Sequence, residues 1–353
     1  MLRKLLFSAM GIACLVQAKS QDSTKTPEPV KTTTITGSVD VYYRYNFANA
    51  KSSLATNNAT SFTNSHNSFE LGMASLKVVH SFGKISGVID LGFGSRAKEF
   101  SYNETGITQA VKQAYLTYAP SDKVTFTMGK FATHVGYELL DPQLNRNYSM
   151  SYMFSYGPFS HTGLKMDVTV SKNFGFMVGV ANPTDYISAP FEKKFFLAQL
   201  HGATSDGKFT AYLNYVGGKD TAKITQNQFD LVATVKVSNK FSIGVNGTVK
   251  MVKPDGVSSQ SWTGAALYLN VDPTDKFGFT IRGEIFDDKK KVTGVLGTSL
   301  YEATATLNIK PVAGIIIMPE FRLDGAKDPF FAKHDGTGTK STGSFILAAV
   351  YSF

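Results

Sequence analysis

Apolar side chains return at every second position along most of this chain, and that period constrains what it can fold into. Val39, Val41, Tyr43 and Tyr45 alternate with Ser38, Asp40, Tyr42 and Arg44, and Leu164, Met166, Val168 and Val170 alternate with Lys165, Asp167 and Thr169. The same pattern recurs in Phe229, Leu231, Ala233 and Val235 and in Tyr301, Ala303, Ala305 and Leu307. Neighbours in a strand point to opposite faces, so each segment reads as a strand with one apolar and one polar side. A soluble sandwich alternates in the same way. The connections separate the two architectures, because they alternate short and long. Tight turns fall near Gly83–Lys84, Pro120–Lys123, Ser171–Asn173, Ser205–Lys208, Ser238–Lys240, Pro273–Lys276 and Pro311–Ala313. Longer polar segments separate them, including Ala48–Asn67, Ala97–Gln109, Gly136–Ser160 and Gly325–Ser341. Short turns at one rim and long loops at the other mark a membrane-spanning barrel.

Seven turns and eight loops join sixteen strands, which gives the expected fold: an all-β, transmembrane, antiparallel up-and-down β-barrel. Fourteen strands is the alternative, because three segments are irregular. The phase changes between Met73 and Leu76, which suggests a bulge. Phe195 to Thr204 is apolar on both faces, and Pro319 sits where a strand should donate a ladder hydrogen bond. Most short turns place Lys or Asn before an apolar residue, as in Lys84–Ile85, Lys208–Phe209 and Lys276–Phe277. That pattern sets a charge among headgroups and a ring just inside them, as in the girdles of membrane barrels.

The start of the chain supplies the compartment. Arg3 and Lys4 precede an apolar run from Leu5 to Val16, with small residues at Ala18 and Ser20, so residues 1–20 read as a secretory signal peptide. The run is too short for a membrane helix, which needs about 20 residues. Cys14, the only cysteine, lies inside this leader, so the processed chain has no thiol for disulfides, thiolate nucleophiles or metal ligation. Residues 21–34, with Pro27 and Pro29, read as a flexible periplasmic lead-in, and residues 35–353 as the barrel. The net charge of +9 is spread along the chain, with no run longer than Lys289 to Lys291. A nucleic-acid surface would be clustered, so no nucleic-acid partner is expected.

The final strand, with Phe345, Leu347, Ala349, Tyr351 and Phe353 on one face, ends the chain on an aromatic ring. In this it resembles outer-membrane barrels, whose terminal strand is read by the barrel-assembly machinery; Tyr351 and Phe353 would be that signal. Within the class the sequence is similar to the OmpL-like β-barrel porins of Gram-negative outer membranes. The residues that carry the resemblance are Gly129, Lys130, Phe131, Gly136, Tyr137, Glu138, Asn145, Tyr148, Ser149, Pro158, His161, Thr162 and Gly163. The resemblance implies an outer-membrane diffusion channel for small hydrophilic solutes and ions, without a cofactor, in contact with outer-membrane lipid and lipopolysaccharide, as a monomer or homotrimer.

The residues themselves lead the same way. If the apolar faces meet lipid, the alternate positions face a lumen, including Arg44, Asp90, Arg96, Lys165, Asp167, Arg282, Glu284, Glu320 and Arg322. Buried charges need water or partners, and a barrel of about sixteen strands is wide enough for an aqueous channel. In porins of this strand number the loop after the fifth strand folds inward, which here is the segment at about 132–162. Its Glu138, Asp141 and Arg146 are expected to oppose one another at a constriction, with Tyr148, Tyr152 and Tyr156 as lining.

Two rival classes have weaker support. A plugged or structural barrel acting as a surface adhesin or receptor would carry its function in the loops, where no motif marks it. A hydrolase would need a nucleophile within reach of a base; Ser160–His161 is the nearest pair, but strand neighbours face opposite ways. His66, His80, His134, His161, His201 and His334 are dispersed, with no metal-ligand spacing. Gly217–Gly218–Lys219 lacks the flanking residues of a phosphate loop. Neither an enzymatic activity nor a metal site is expected.

Overall fold

A computed structural model describes residues 30–51 and 56–353. The expected leader, and the lead-in as far as residue 29, lie outside the described residues. The barrel unit, Lys31–Phe353, is built from β1 (Lys31–Asn46), β2 (Ser68–Phe82), β3 (Ile85–Phe93), β4 (Val111–Ser121), β5 (Val124–Ala132), β6 (Ser160–Ser171), β7 (Phe174–Ala181) and β8 (Phe195–Ala203). It continues through β9 (Phe209–Lys219), β10 (Thr225–Lys236), β11 (Phe241–Lys253), β12 (Gln260–Thr274), β13 (Phe277–Asp287), β14 (Ser299–Ile309) and β15 (Ile315–Ala326). The short β16 (Phe331–Ala332) and β17 (Gly338–Thr339) form a separate two-stranded ribbon, and β18 (Ser341–Ser352) is last. Sixteen strands close a barrel in which β18 pairs with both β15 and β1. Every neighbouring pair is antiparallel, and the closing register runs from Ser38 opposite Ser352 to Asn46 opposite Ser344.

Closure satisfies every strand edge, which a sheet in hydrocarbon requires. Among the described residues no helix is long and apolar enough to cross a membrane. The period of two appears directly as burial. In β13, Phe277, Phe279, Ile281 and Ile285 are exposed outward, while Thr280, Arg282, Glu284 and Phe286 are buried inward. Apolar outside and polar inside is the arrangement that faces lipid.

Four details differ from the sequence reading. β1 begins at Lys31 rather than Ile35, because Lys31 to Thr34 pair with Val79 to Phe82. The bulge lies at Gly72 rather than beyond Met73: Asp40 pairs with Met73 but Val41 pairs with Leu71. A side chain at Gly72 would collide with the Asp40 carboxylate. β3 stops at Phe93, and Arg96 sits on the short helix α1 (Ser95–Phe100) instead of on a strand. The strand pair β9–β10 runs on through Lys219 opposite Thr225, so the loop is residues 220–224 and not the longer polar segment Gly217–Asn227 that the sequence suggests.

The two other irregular segments have physical explanations. Phe195 and Leu197 of β8 are buried in the lumen with Phe131, Val135 and Met177, so the apolar inner face is covered by the start of the long loop. At Pro319, pairing with β18 is unbroken, but pairing with β14 is interrupted between Glu320 and Ile317. Proline offers the ladder no N–H.

Candidate functional site

The lumen is organised by residues 133–159, which leave β5 at Ala132 and return at Ser160. The base is closed where the Thr133 N–H donates to the Phe159 carbonyl at 3.0 Å. Gly136, in the left-handed region at φ 96°, then lets its N–H reach the Asp230 carboxylate on β10 at 3.0 Å. Tyr137 stacks on Tyr268 of β12 with centroids 4.1 Å apart. Further along the segment lies α2 (Tyr152–Tyr156), capped where the Ser151 hydroxyl accepts from the Phe154 N–H at 3.1 Å.

Glu138, Asp141 and Arg146 do not face one another. Each is paired with the wall. Glu138 accepts from Arg282 Nη1 on β13 at 2.5 Å and from the Ser151 N–H at 2.8 Å. Asp141 accepts from Lys112 of β4 at 2.5 Å. Arg146 makes a bidentate pair with Asp272 of β12 at 2.6 and 3.0 Å and donates to Thr280 at 2.9 Å. Such forked pairing fixes orientation as well as charge.

Tyr148 and Tyr152 are fully buried rather than open to a channel. The Tyr148 N–H donates to Glu320 at 2.8 Å and its hydroxyl to Asp40 at 2.5 Å. The N–H groups of Tyr152 and Met153, at the start of α2, donate to Glu284 at 2.6 and 2.8 Å, and the Tyr152 hydroxyl donates to Asp324 at 2.6 Å. Tyr156 is half-buried, with its hydroxyl donating to the Ala59 carbonyl at 2.9 Å. A segment in the middle of a barrel has no strand partner, so the wall supplies the acceptors.

The other wall charges are similarly engaged. Arg44 donates to the carbonyls of Thr56, Ser65 and Asn57 at 2.9, 2.8 and 3.2 Å, drawing that first loop inward. Arg96 lies 3.8 Å from Asp40 and stacks over the rings of Phe62 and Tyr148. Asp90 lies 3.0 Å from Lys112. Arg282 also meets Glu302 at 2.6 Å, and Arg322 meets Asp324 at 2.7 Å and the Met150 carbonyl at 2.7 Å. Lys165 and Asp167 pair at 3.0 Å on β6, nearer the short-turn rim, where they keep 23% and 42% of their side-chain exposure. Arg146 and Asp272 keep 23% and 39%, so water reaches these two pairs, while the Arg282 pairs with Glu138 and Glu302 and the Arg322–Asp324 pair are dry.

At the long-loop end a cavity of about 910 Å³ lies between α2, the 182–194 loop and the inner faces of β10 to β12. Asp185 anchors one side. Its Oδ1 accepts from the N–H groups of Phe159 and Ser160 at 2.8 and 2.7 Å, and its Oδ2 accepts from the Tyr102 hydroxyl at 3.1 Å. Burial raises its carboxyl to about 6, against the lowering effect of those N–H groups. His134, whose Nε2 meets the Tyr215 carbonyl at 3.0 Å, is pushed by burial down to about 4.

His134 and His161 come within 5.3 Å, ring to ring. His161 Nε2 meets the Thr133 hydroxyl at 3.1 Å, while Ser160 gives its backbone N–H to Asp185, so this pair is not assembled as nucleophile and base. Among the described residues no group of three His, Cys, Asp or Glu is placed to hold a metal. Tyr351 and Phe353 lie outside the barrel at its closing seam, where the N–H and carbonyl of Phe353 exchange hydrogen bonds with those of Gly37 at 3.0 and 3.1 Å.

Sequence reasoning missed Lys112, Asp185 and Asp272. Asp272 precedes Pro273 and reads as turn chemistry, and Asp185 lies in an ordinary polar loop. Only the fold brings them to the lumen.

The sequence profile of the family described as "Putative beta-barrel porin-2, OmpL-like" matches residues 32–353. No curated protein matches the sequence. Among solved structures, the outer membrane channel DcaP of Acinetobacter baumannii superposes with a TM-score of 0.64 at 14% identity, over 92% of this chain and 97% of that one. The anion-selective porin from Comamonas acidovorans gives 0.65 at 9% identity, over 92% and 100%. OmpT of Vibrio cholerae in its trimer form gives 0.60 at 12% identity, over 92% and 99%. At these identities the likeness is one of fold.

Proposed function

The chain belongs to the OmpL-like β-barrel porin family, and on that premise we propose that small hydrophilic solutes and ions cross its lumen past the inward segment 133–159. It is an outer-membrane channel protein. The observation that carries the finer reading is the seating of that segment, clamped to the wall by Glu138–Arg282, Asp141–Lys112 and Arg146–Asp272. Because Arg146 and Asp272 stay partly wet, they are the charges a passing ion meets on the periplasmic side of the narrowing. Glu138, Tyr148 and Tyr152 act behind it, as the fastening.

Liposomes carrying the purified protein should swell in isotonic pentose, more slowly in disaccharide. Failure to swell in any solute overturns the reading. A second reading, a plugged barrel whose loops bind a surface partner, draws on the complete burial of Phe62, Tyr148 and Tyr152. The same assay separates the two. The Ser160–His161 pair lends the hydrolase reading no support, since His161 Nε2 meets the Thr133 hydroxyl.

The expected leader would take the chain across the inner membrane and be removed, and Tyr351 with Phe353 would present the seam to the assembly machinery. OmpT of Vibrio cholerae has been solved in trimer form. For this chain the choice lies between a monomer and a homotrimer, and the mass of the detergent-solubilised protein decides it.

A further inference from the structure

Four lysines face the lumen on the short-turn side of the inward segment, one on each quarter of the wall. Lys77 is on β2, Lys165 on β6, Lys236 at the end of β10 and Lys310 just past β14, four strands apart at each step around the closed barrel. They face inward because their strand neighbours face lipid. Leu76, Leu164 and Val235 are exposed on the outside, and Ile309 pairs with the outward Phe277.

Each lies beside a point where the segment is seated. Lys77 is opposite Asp90, the carboxylate that shares Lys112 with Asp141. Lys165 sits over the ring of Phe131, where the segment leaves β5, at 5.5 Å. Lys236 opposes Ser242, two positions nearer the short-turn rim than Gly244, whose lack of a side chain admits the Tyr137 ring. Lys310 is two positions beyond Asn308, whose amide donates to the Arg146 carbonyl at 2.9 Å.

The charge around this ring is one-sided. Lys165 is answered by Asp167, and Arg146 by Asp272. The ammonium groups of Lys77, Lys236 and Lys310 have no ion pair among the described residues, and all three side chains keep some exposure. Asp90 is buried and turned to Lys112 at 3.0 Å and Gln113 at 2.9 Å. Even with Asp90 set against Lys77, Lys236 and Lys310 remain unanswered. The short turns do not reverse the balance, since Lys84, Lys123, Lys172, Lys208, Lys240 and Lys276 outnumber Asp122, Asp206 and Asp275. At the other mouth the 182–194 and 220–224 loops carry both signs, Glu192 and Asp220 with Lys193, Lys194 and Lys223.

We propose that the short-turn half of the lumen selects for anions, with Lys77, Lys236 and Lys310 setting the preference and small carboxylates and phosphates as the favoured solutes. Rings of basic side chains are one way a pore excludes cations. Lysine ammonium groups are compact, strongly hydrated point charges, so they raise the local concentration of anions without holding one in place. The assignment deepens the channel reading and rests on it.

The experiment measures the reversal potential of the full protein in planar bilayers under a gradient of potassium chloride, whose two ions have nearly equal mobility. Chloride should carry more of the current than potassium by several-fold near 0.1 M salt, where the screening length is about 10 Å, and the ratio should fall towards one near 1 M, where it is about 3 Å. The triple variant K77Q/K236Q/K310Q should bring the low-salt ratio close to one while keeping discrete conductance steps. K289Q/K290Q/K291Q removes the same charge from an extracellular loop and should leave the ratio unchanged. A wild type that passes both ions equally, or prefers potassium, overturns the proposal without recourse to any variant. So does a ratio that survives the lumen triple, or one that falls as far in the loop triple. Those outcomes leave the channel reading standing, whereas a wild type with no conductance contradicts the channel reading and this assignment together.

Discussion

Arg282 sits at the junction of loop and wall, fully buried, with Glu138 on one side and Glu302 on the other. Replacing it by methionine leaves two carboxylates without their cation, and breaking a buried pair from one side costs about 3–5 kcal/mol. Arg282→Met should therefore lower the temperature at which the folded band converts on heat-modified gels; an unchanged temperature contradicts the pairing. Asp185 makes a prediction in pH. Burial holds its folded carboxyl at about 6, above the unfolded value of about 3.9. The folded chain then keeps a proton that the unfolded chain releases, so this contribution to stability is complete below about pH 4 and is lost as pH rises through about 6. Asp185→Asn keeps an oxygen for the Phe159 and Ser160 N–H groups, and its amide can donate to Tyr102. Stability measured at about pH 4 and about pH 7 should differ less in this variant than in the wild type, and an equal difference tells against the assignment. At this scale the sequence was half legible. Glu138 stood out within an aromatic, charged loop, but Arg282 is 144 residues away. Only barrel closure and register bring them together.

The strands were the most legible part, because an apolar-out, polar-in barrel writes its period into every wall segment. Where the period failed, a local cause was found. Phe195 and Leu197 are apolar on the inner side because Val135 packs there, and the phase shift of β2 sits where Gly72 clears space for Asp40. The end of β3 was misread because Arg96 continues the alternation in sequence while the chain turns into α1 after Gly94. Pro319 offers a test at this scale. Substituting leucine restores a ladder donor on an outward-facing position and should stabilise β15 by up to about 1 kcal/mol, read again as a rise in the conversion temperature. A fall would mean that the interruption beside β14 is required by the fold rather than imposed by the proline.

For the molecule as a whole, closure satisfies the backbone in hydrocarbon and turns the polar faces inward, and the inward segment then uses those faces as its partners. The barrel could be read from alternation and loop lengths. The interior could not, since charges counted as lining turned out to be fastenings. Tyr148 and Tyr152 spend their hydroxyls on Asp40 and Asp324, a use that composition does not distinguish from exposure to water. What remains water-reached is a periplasmic side with Arg146 and Asp272 and an extracellular cavity rich in carboxylates. On the proposed function, the clamped segment sets how much passes between them. The most direct measurement is single-channel conductance in planar bilayers, comparing the wild type with a variant in which residues 139–150 are replaced by a short Gly-Ser linker. Small discrete steps are expected for the wild type and steps several-fold larger for the variant. Equal conductance in the two, or a wild type with no steps at all, would contradict it.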